Sequence, residues 1–346
     1  MTIVEVAAAG RSAHEMLDSA RRAVEPALRA AVGTLPVSME RMASYHFGWS
    51  DRFGQPVRAG GGKTLRPALV LAAAATVGGS PEQAVPAAAA VELIHNFSLV
   101  HDDVMDGDET RRHRLTVWKV FGASPAILAG DALVTLAFDV LAAHEHEAST
   151  RAMRLLSTGV LELLDGQSAD LAFEVLSDVD ISECLTMAEQ KTGALLGCAC
   201  ALGGLYGGAN QEQLEHLTAF GRQLGLAFQH VDDLLGIWGD PSVTGKPVHS
   251  DLRNRKKSLP VVVALSSGTA SGDELAELYA GTDPLSEAEL ERAAELVELA
   301  GGRDWSQDQA DELLVRSLRS LRNCVPQARA GSDLTTLARL VVHRDH

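Results

Sequence analysis

A chain of 346 residues that is 46% hydrophobic can bury a substantial core. Its formal net charge of −16 argues against nucleic-acid binding through a general basic surface, and it makes the few basic clusters informative. Aromatic residues make up only 4% and alanine is abundant, as in LVLAAAATVGG and VPAAAAVEL, which favours closely packed helices over sheets.

Helical periodicity runs through nearly the whole chain. It predicts helices over 12–33, 36–50, 63–77, 82–106, 124–145, 149–175, 180–206, 211–238, 256–267, 285–301, 307–322 and 332–343. Pro81 and Glu82 suit a first helical turn, where a missing N–H costs nothing. Segments 78–81, 106–116 and 239–255 read as loops, 268–284 (SGTASGDELAELYAGTD) as a mobile surface region, and 1–10 as disordered. There is no hairpin signal and no linker between two cores, and no solenoid period repeats. The expectation is one all-α domain over 1–346. No basic segment followed by an apolar core opens the chain, and no long apolar run stands out. A cytoplasmic protein without a membrane span is therefore expected. Cys184, Cys198, Cys200 and Cys324 follow no zinc or redox spacing and are expected to be reduced thiols.

Two aspartate clusters carry the chemistry. The first is Asp102, Asp103 and Asp106 in SLVHDDVMDGDETRRHR; the second is Asp232 and Asp233 in FQHVDDLLG. Aspartates on an apolar helix are costly unless something cationic neutralises them. On a helix Asp102 and Asp106 share a face, and two such carboxylates can bridge a hard cation that keeps positions open for phosphate. Each cluster precedes a basic segment, the second being RNRKK (Arg253 to Lys257), so the pattern points to Mg²⁺ clamping a diphosphate. GGGKTLRP imitates a nucleotide phosphate loop, but Val57 stands where that motif needs glycine; Lys63 and Arg66 at a helix start could still grip phosphate. HEHE (144–147), read on a helix, points its histidines apart and makes no metal site, and HRDH (343–346) reads as a polar tail.

With these segments in view, the chain resembles the trans-isoprenyl diphosphate synthases, or polyprenyl synthetases. The family's GGKxxRP is matched by Gly61, Gly62, Lys63, Arg66 and Pro67, and ELxHxxSLxHDDxxDxxxxRR from Glu92 to Arg112. GDALV (Gly130 to Val134), Gly166-Gln167 with Asp170, Lys191-Thr192, Phe228 to Asp233, and Thr244 to Lys246 follow in order. The resemblance implies a helical bundle of the isoprenoid synthase type around a central apolar cavity. It implies a Mg²⁺-dependent condensation of isopentenyl diphosphate with an allylic diphosphate, in a homodimer. Asp102, Asp103, Asp106, Asp232 and Asp233 would form the metal-binding set. Arg111, Lys191, Lys246 and Lys256 would contact the allylic diphosphate. Lys63, Arg66, His95 and Arg112 would hold isopentenyl diphosphate, while Thr192 and Gln229 would steady the cation.

Two positions depart from the family pattern. Gly236 stands where the second motif usually ends in aspartate, with Asp240 as one conceivable substitute, and Arg255 replaces the usual glycine before Lys256. In this family, bulk at the two positions four and five before the first aspartate limits chain growth; here they are Ser98 and Phe97. A small residue followed by an aromatic one step deeper predicts the C20 product, geranylgeranyl diphosphate, with C15 second. A class I terpene cyclase, a non-catalytic subunit of a heteromeric synthase and a metal phosphohydrolase are the competing readings. Lys63, Arg66, His95 and Arg112 favour condensation over cyclisation, and the hydrolase leaves the second cluster unexplained.

Overall fold

The computed structural model describes residues 11–57, 64–176, 178–241 and 247–343. The elements in order are α1 (Ala13–Val32), α2 (Val37–His46), α3 (Leu65–Thr76), a 3₁₀ turn Pro81–Ala84, α4 (Val85–Met105), a hairpin of β1 (Thr110–Arg111) and β2 (Arg114–Leu115), α5 (Val117–Phe121) and α6 (Ala123–Ala143). Then come α7 (Ser149–Val175), α8 (Ile181–Ala188), a π turn Glu189–Gly193, α9 (Ala194–Tyr206) and α10 (Gln211–Trp238). After α10 the chain forms α11 (Ser250–Arg253), α12 (Leu259–Leu265), α13 (Ala270–Ala280), α14 (Glu287–Leu299), α15 (Gly302–Asn323) and α16 (Ala328–Val342). The fold is the all-α bundle that the helical periodicity predicts.

Small residues explain how the helices approach. The run Ala87, Ala88, Ala89, Ala90 and Val91 of α4 would read as a weak core by side-chain size, yet all five are wholly buried, because α3, α6 and α9 close around them. One core cluster joins α4, α6, α7 and α9; a second joins α1, α3, α10, α15 and α16. A smaller cluster lies among α12 to α14. Local signals set the helix ends. Asn210 caps α10 reciprocally with Gln213, and Ser286 caps α14 with Glu289, each satisfying otherwise orphaned N–H groups. All four cysteines are buried free thiols.

Several expectations need correction. The segment 268–284 holds α13, capped by Thr269, whose hydroxyl accepts from the Gly272 N–H. Its glycines and serines hide a helix whose buried anchor is Leu275. The segment 106–116 contains the hairpin, pairing Thr110 with Leu115 and Arg111 with Arg114. HEHE does not lie on a helix: α6 ends at Ala143, and the rings of His144 and His146 stack on Tyr206 instead. Among the described residues one helix, Ala123–Ala143, is long and apolar enough to cross a membrane by length and composition, with a mean hydropathy of 1.9. It packs along α4, burying Ala126, Ala129, Leu133, Ala137 and Leu141.

Candidate active site

The first aspartate cluster ends α4. Asp103 points into the protein, 1% exposed, where Arg111 Nε donates to its Oδ1 at 2.7 Å. Its Oδ2 is buried with no hydrogen-bond partner. Burial pushes the Asp103 carboxyl up to about 6 against the pull of Arg111. Burial also raises Asp102 to about 6, opposed by Lys191 and assisted by Asp106. Asp106 at the helix end is raised by burial as well. These carboxyls are poised to gain from any cation that joins them.

The hairpin sets the basic residues that follow. Its two-residue loop is Arg112-His113, with φ of 52° and 61°. A tight hairpin wants two left-handed residues, and non-glycine residues accept that conformation only at a cost. The strap that holds the hairpin is Arg114, which donates to Tyr45 O at 2.9 Å and Ser50 O at 3.0 Å and lies over the Tyr45 ring. Thr116 and Trp118 both donate to Asp108 O. Arg111 is thereby turned onto Asp103, and Arg112 into the field of Glu92, His95 and Arg66.

The second half of the site comes from a local irregularity. The stretch 180–206 reads as one helix in sequence, but residues 189–193 form a π turn between α8 and α9. A π turn adds a residue to the helical circuit and redirects side chains. Here it presents Lys191 and Thr192. Lys191 pairs with Asp170 of α7. The approach requires Gly166, since a Cβ there would overlap the Lys191 backbone nitrogen. Burial would raise Asp170, but Lys191 and Lys256 outweigh it and hold the carboxyl below its usual range.

The second cluster divides. Asp232 is exposed, whereas Asp233 is 4% exposed and engaged at both oxygens. Gln229 Nε2 donates to Asp233 Oδ1 at 2.7 Å, and the Leu259 N–H donates to Oδ2 at 2.9 Å. Thr192 donates to Gln229 Oε1 at 2.6 Å, so Thr192, Gln229, Asp233 and the start of α12 form one chain of hydrogen bonds. Burial drives Asp233 up to about 7, against the pull of Lys256. Lys256 is the link between the halves. Burial would neutralise its ammonium, but Asp251, Asp233, Asp170 and Asp232 hold it charged, and its field also reaches Asp106.

A separate basic region lies along α4. Burial is the main cause of a neutral His95, with Arg66, Arg112 and Arg111 repelling a proton further. Glu92 in the same neighbourhood is raised by burial and lowered by Arg66 and Arg112. Sequence reasoning did not single out His46, which is held near 3 by burial and by Arg112, and which bonds Asn96 Oδ1 at 3.1 Å. It also passed over Arg114 as the hairpin strap. Ser98 donates to His95 O, and Phe97, 5% exposed, packs edge-on against His101. That His101 ring is the reason for Gly130 in the GDALV stretch, since a Cβ there would collide with it. Lys63 and Lys246 lie outside the described residues. Among the described residues no three His, Cys, Asp or Glu side chains converge as a preformed metal site.

A helical bundle with two acidic helix ends joined by lysines, beside a second basic pocket, is the framework of a diphosphate-processing prenyltransferase. Residues 49–297 match the polyprenyl synthetase family, and the chain belongs to it. Over 332 residues the chain is 46% identical to a (2E,6E)-farnesyl diphosphate synthase of Mycobacterium tuberculosis, covering 95% of this chain and 92% of that protein. It is 45% identical over 331 residues to a geranylgeranyl diphosphate synthase of the same organism, covering 95% and 93%. The crystal structure of a polyprenyl synthetase from Streptomyces coelicolor A3(2) superposes with a TM-score of 0.91 at 48% identity, covering 95% of this chain and 99% of that one. The protein is a trans-prenyltransferase.

Proposed function

We propose that the protein condenses isopentenyl diphosphate with allylic diphosphates in a Mg²⁺-dependent reaction that ends at C20, geranylgeranyl diphosphate. The observation that carries the condensation is the sorting of basic groups into two sets. Lys191 and Lys256 lie in the field of Asp102 or Asp106, while Arg66 and Arg112 lie in the field of Glu92 and His95, with Arg111 between. Two diphosphates held side by side need two such sets; a cyclase needs one.

The donor set fits hard cations. Asp102 and Asp106 share a helix face, Asp103 keeps one buried oxygen without a partner, and Asp232 is exposed. These residues would hold Mg²⁺ with diphosphate oxygens completing the shell, and the ions would supply neutralisation of the leaving diphosphate. Lys191, Lys256 and Arg111 stabilise that charge as the allylic C–O bond breaks. Arg66, Arg112 and His95, with Lys63, hold isopentenyl diphosphate so that its double bond meets the cation at close range. Thr192 and Gln229, fixed by Asp233, turn their oxygen dipoles toward the reacting carbon. A proton then passes to the departing diphosphate.

For length, Ser98 lies one turn below Asp102 on the same face of α4 and leaves room for growth. Phe97, one residue deeper, is the expected stop. We also assign the whole chain to one domain working as a cytoplasmic homodimer. Ile127, Leu128, Leu161 and Leu164 on α6 and α7 are exposed large apolar residues, as a helix-packed dimer interface requires. Purified protein incubated with Mg²⁺, isopentenyl diphosphate and each of the C5, C10 and C15 primers should yield a C20 alcohol after dephosphorylation. A product ending at C15 would transfer the assignment to a farnesyl diphosphate synthase. Phe97→Ala should lengthen the product, and an unchanged length removes Phe97 as the stop.

A further inference from the structure

The π turn Glu189–Gly193 carries Lys191 and Thr192, and π geometry is not the winding a helix prefers. Relaxed to an ordinary helical circuit, the turn would swing its side chains by about 100°, the angular step of one residue. Four consecutive side chains are fastened against this. Gln190 Nε2 donates to Asp165 Oδ2 of α7 at 2.8 Å, Lys191 pairs with Asp170 of α7, and Thr192 bonds Gln229 of α10. The first, Glu189, is held by Arg222 of α10, whose Nε donates to Glu189 Oε1 at 2.9 Å while its Nη1 donates to Glu162 Oε2 of α7 at 2.6 Å. We infer that Arg222 is a positioning residue of the allylic diphosphate site: by clamping Glu189 to Glu162 it keeps the π turn in the register that aims Lys191 and Thr192.

Arg222 lies two turns before Gln229 on the same face of α10. That face therefore grips the π turn near both ends, at Glu189 through Arg222 and at Thr192 through Gln229. Glycines clear the way. A Cβ on Gly197 would fall 2.6 Å from Arg222 Cγ, and one on Gly225 would fall 2.6 Å from Gly193 Cα. The backbone of the turn thus lies directly against α10, and the guanidinium crosses to α7. One planar group with two donors in use joins α10, the π turn and α7, a task that its fixed fork suits and a flexible ammonium does not. The three side chains are between 31% and 45% exposed, so their ion pairs add little to overall stability. What the clamp contributes is aim: it fixes the residue two before Lys191, while Lys191 itself extends to Asp170 and into the field of Asp102.

This inference rests on the proposed contact of Lys191 with the allylic diphosphate, and the test separates the two. Steady-state rates are measured with the C10 primer varied at saturating isopentenyl diphosphate, then the reverse, with thermal melts alongside. Arg222→Met should raise the primer KM about tenfold, the scale of one displaced charge-assisted contact, and leave the isopentenyl diphosphate KM within about twofold of the parent. Glu189→Gln, a milder change at the other end of the clamp, should move the primer KM the same way by about threefold, and it decides the matter if Arg222→Met fails to fold. Arg222→Lys, which keeps the charge but not the fork, should fall between the parent and Arg222→Met. In a Lys191→Ala background, Arg222→Met should change the primer KM by less than about twofold, because the clamp acts through Lys191. A clamp that served stability alone would lower the melting temperature, shift both KM values together and add in full to Lys191→Ala; that result overturns the inference. If Lys191→Ala itself leaves the primer KM unchanged, the contact of Lys191 with the diphosphate fails and the inference with it. If Lys191→Ala raises it while Arg222→Met and Glu189→Gln do not, only the role of Arg222 fails.

Discussion

The two aspartate clusters look alike in sequence and are built differently. In the first, one helix end carries all three carboxylates, and the hairpin delivers Arg111 to Asp103 from outside. In the second, the adjacent aspartates part company. Asp232 faces outward, while Asp233 is spent inside the protein on Gln229 and the Leu259 N–H. The letters DD therefore stand for two equivalent carboxylates in neither place. Each pair joins one carboxylate open to the site with one tied into the scaffold that positions it.

That contrast orders the expected effects. Asp102→Asn and Asp232→Asn should each cut turnover by roughly 10²–10³ through lost transition-state charge stabilisation, with no fall in the melting temperature. Steady-state kinetics with a C15 primer and a thermal melt check both halves of this statement. If Asp232→Asn matched Asp233→Asn in stability and activity alike, the division drawn within the second cluster would collapse.

Asp233→Ala should behave in the opposite way, losing about 2–4 kcal/mol of stability because two buried hydrogen bonds disappear and their donors stay behind. Denaturant unfolding reads this directly. Gln229 is then free to turn, so the Thr192 hydroxyl loses its anchor.

The pH dependence sharpens the comparison further. Asp102 and Asp103 hold their protons to about 6 and Asp233 to about 7, above the ordinary aspartate value. The folded state thus keeps protons that the unfolded chain gives up. Their contribution favours the fold at low pH and is lost as pH rises from about 4 through 7. Mg²⁺ with pyrophosphate should raise the melting temperature more at pH 7.5 than at pH 5.5, with proton release visible in buffers of different ionisation enthalpy. Asp233→Asn should keep that ligand effect while flattening the stability loss near pH 7.

The smallest effect concerns His230, on the same helix between Gln229 and Asp233. It is wholly buried against Trp305, neither ring nitrogen has a hydrogen-bond partner, and burial lowers it to about 4. Here the unfolded chain takes the proton first, so stability falls as pH drops from about 6.5 to 4. His230→Met should remove about 2 kcal/mol of that acid loss at pH 5, with little change at pH 8. Melts at the two pH values decide it.

Much of this was legible from residue order. The ends of α7 and α10 follow from periodicity and from the Asn210 cap. Charge clustering on apolar helices marked Asp102, Asp103, Asp106, Asp232 and Asp233 as one set. What stayed hidden depends on contacts between distant segments. The hairpin lacks the usual Asn-Gly turn and is held by Arg114 reaching back to Tyr45 and Ser50. The π turn at Glu189–Gly193 has no signature in the apolar pattern, because its purpose is to rotate Lys191 out of that pattern. Gly130 and Gly166 acquire meaning only from the His101 ring and the Lys191 backbone laid against them.

The apolar helix Ala123–Ala143 has a consequence for biosynthesis. Emerging alone, 21 residues with a mean hydropathy of 1.9 would present the ribosome's surroundings with a segment fit for lipid. Its main packing partner is α4, which ends at Met105 and so leaves the ribosome first. The order of the two helices in the gene lets the earlier one shelter the later as it appears, and lets a nascent chain fold past this long apolar stretch.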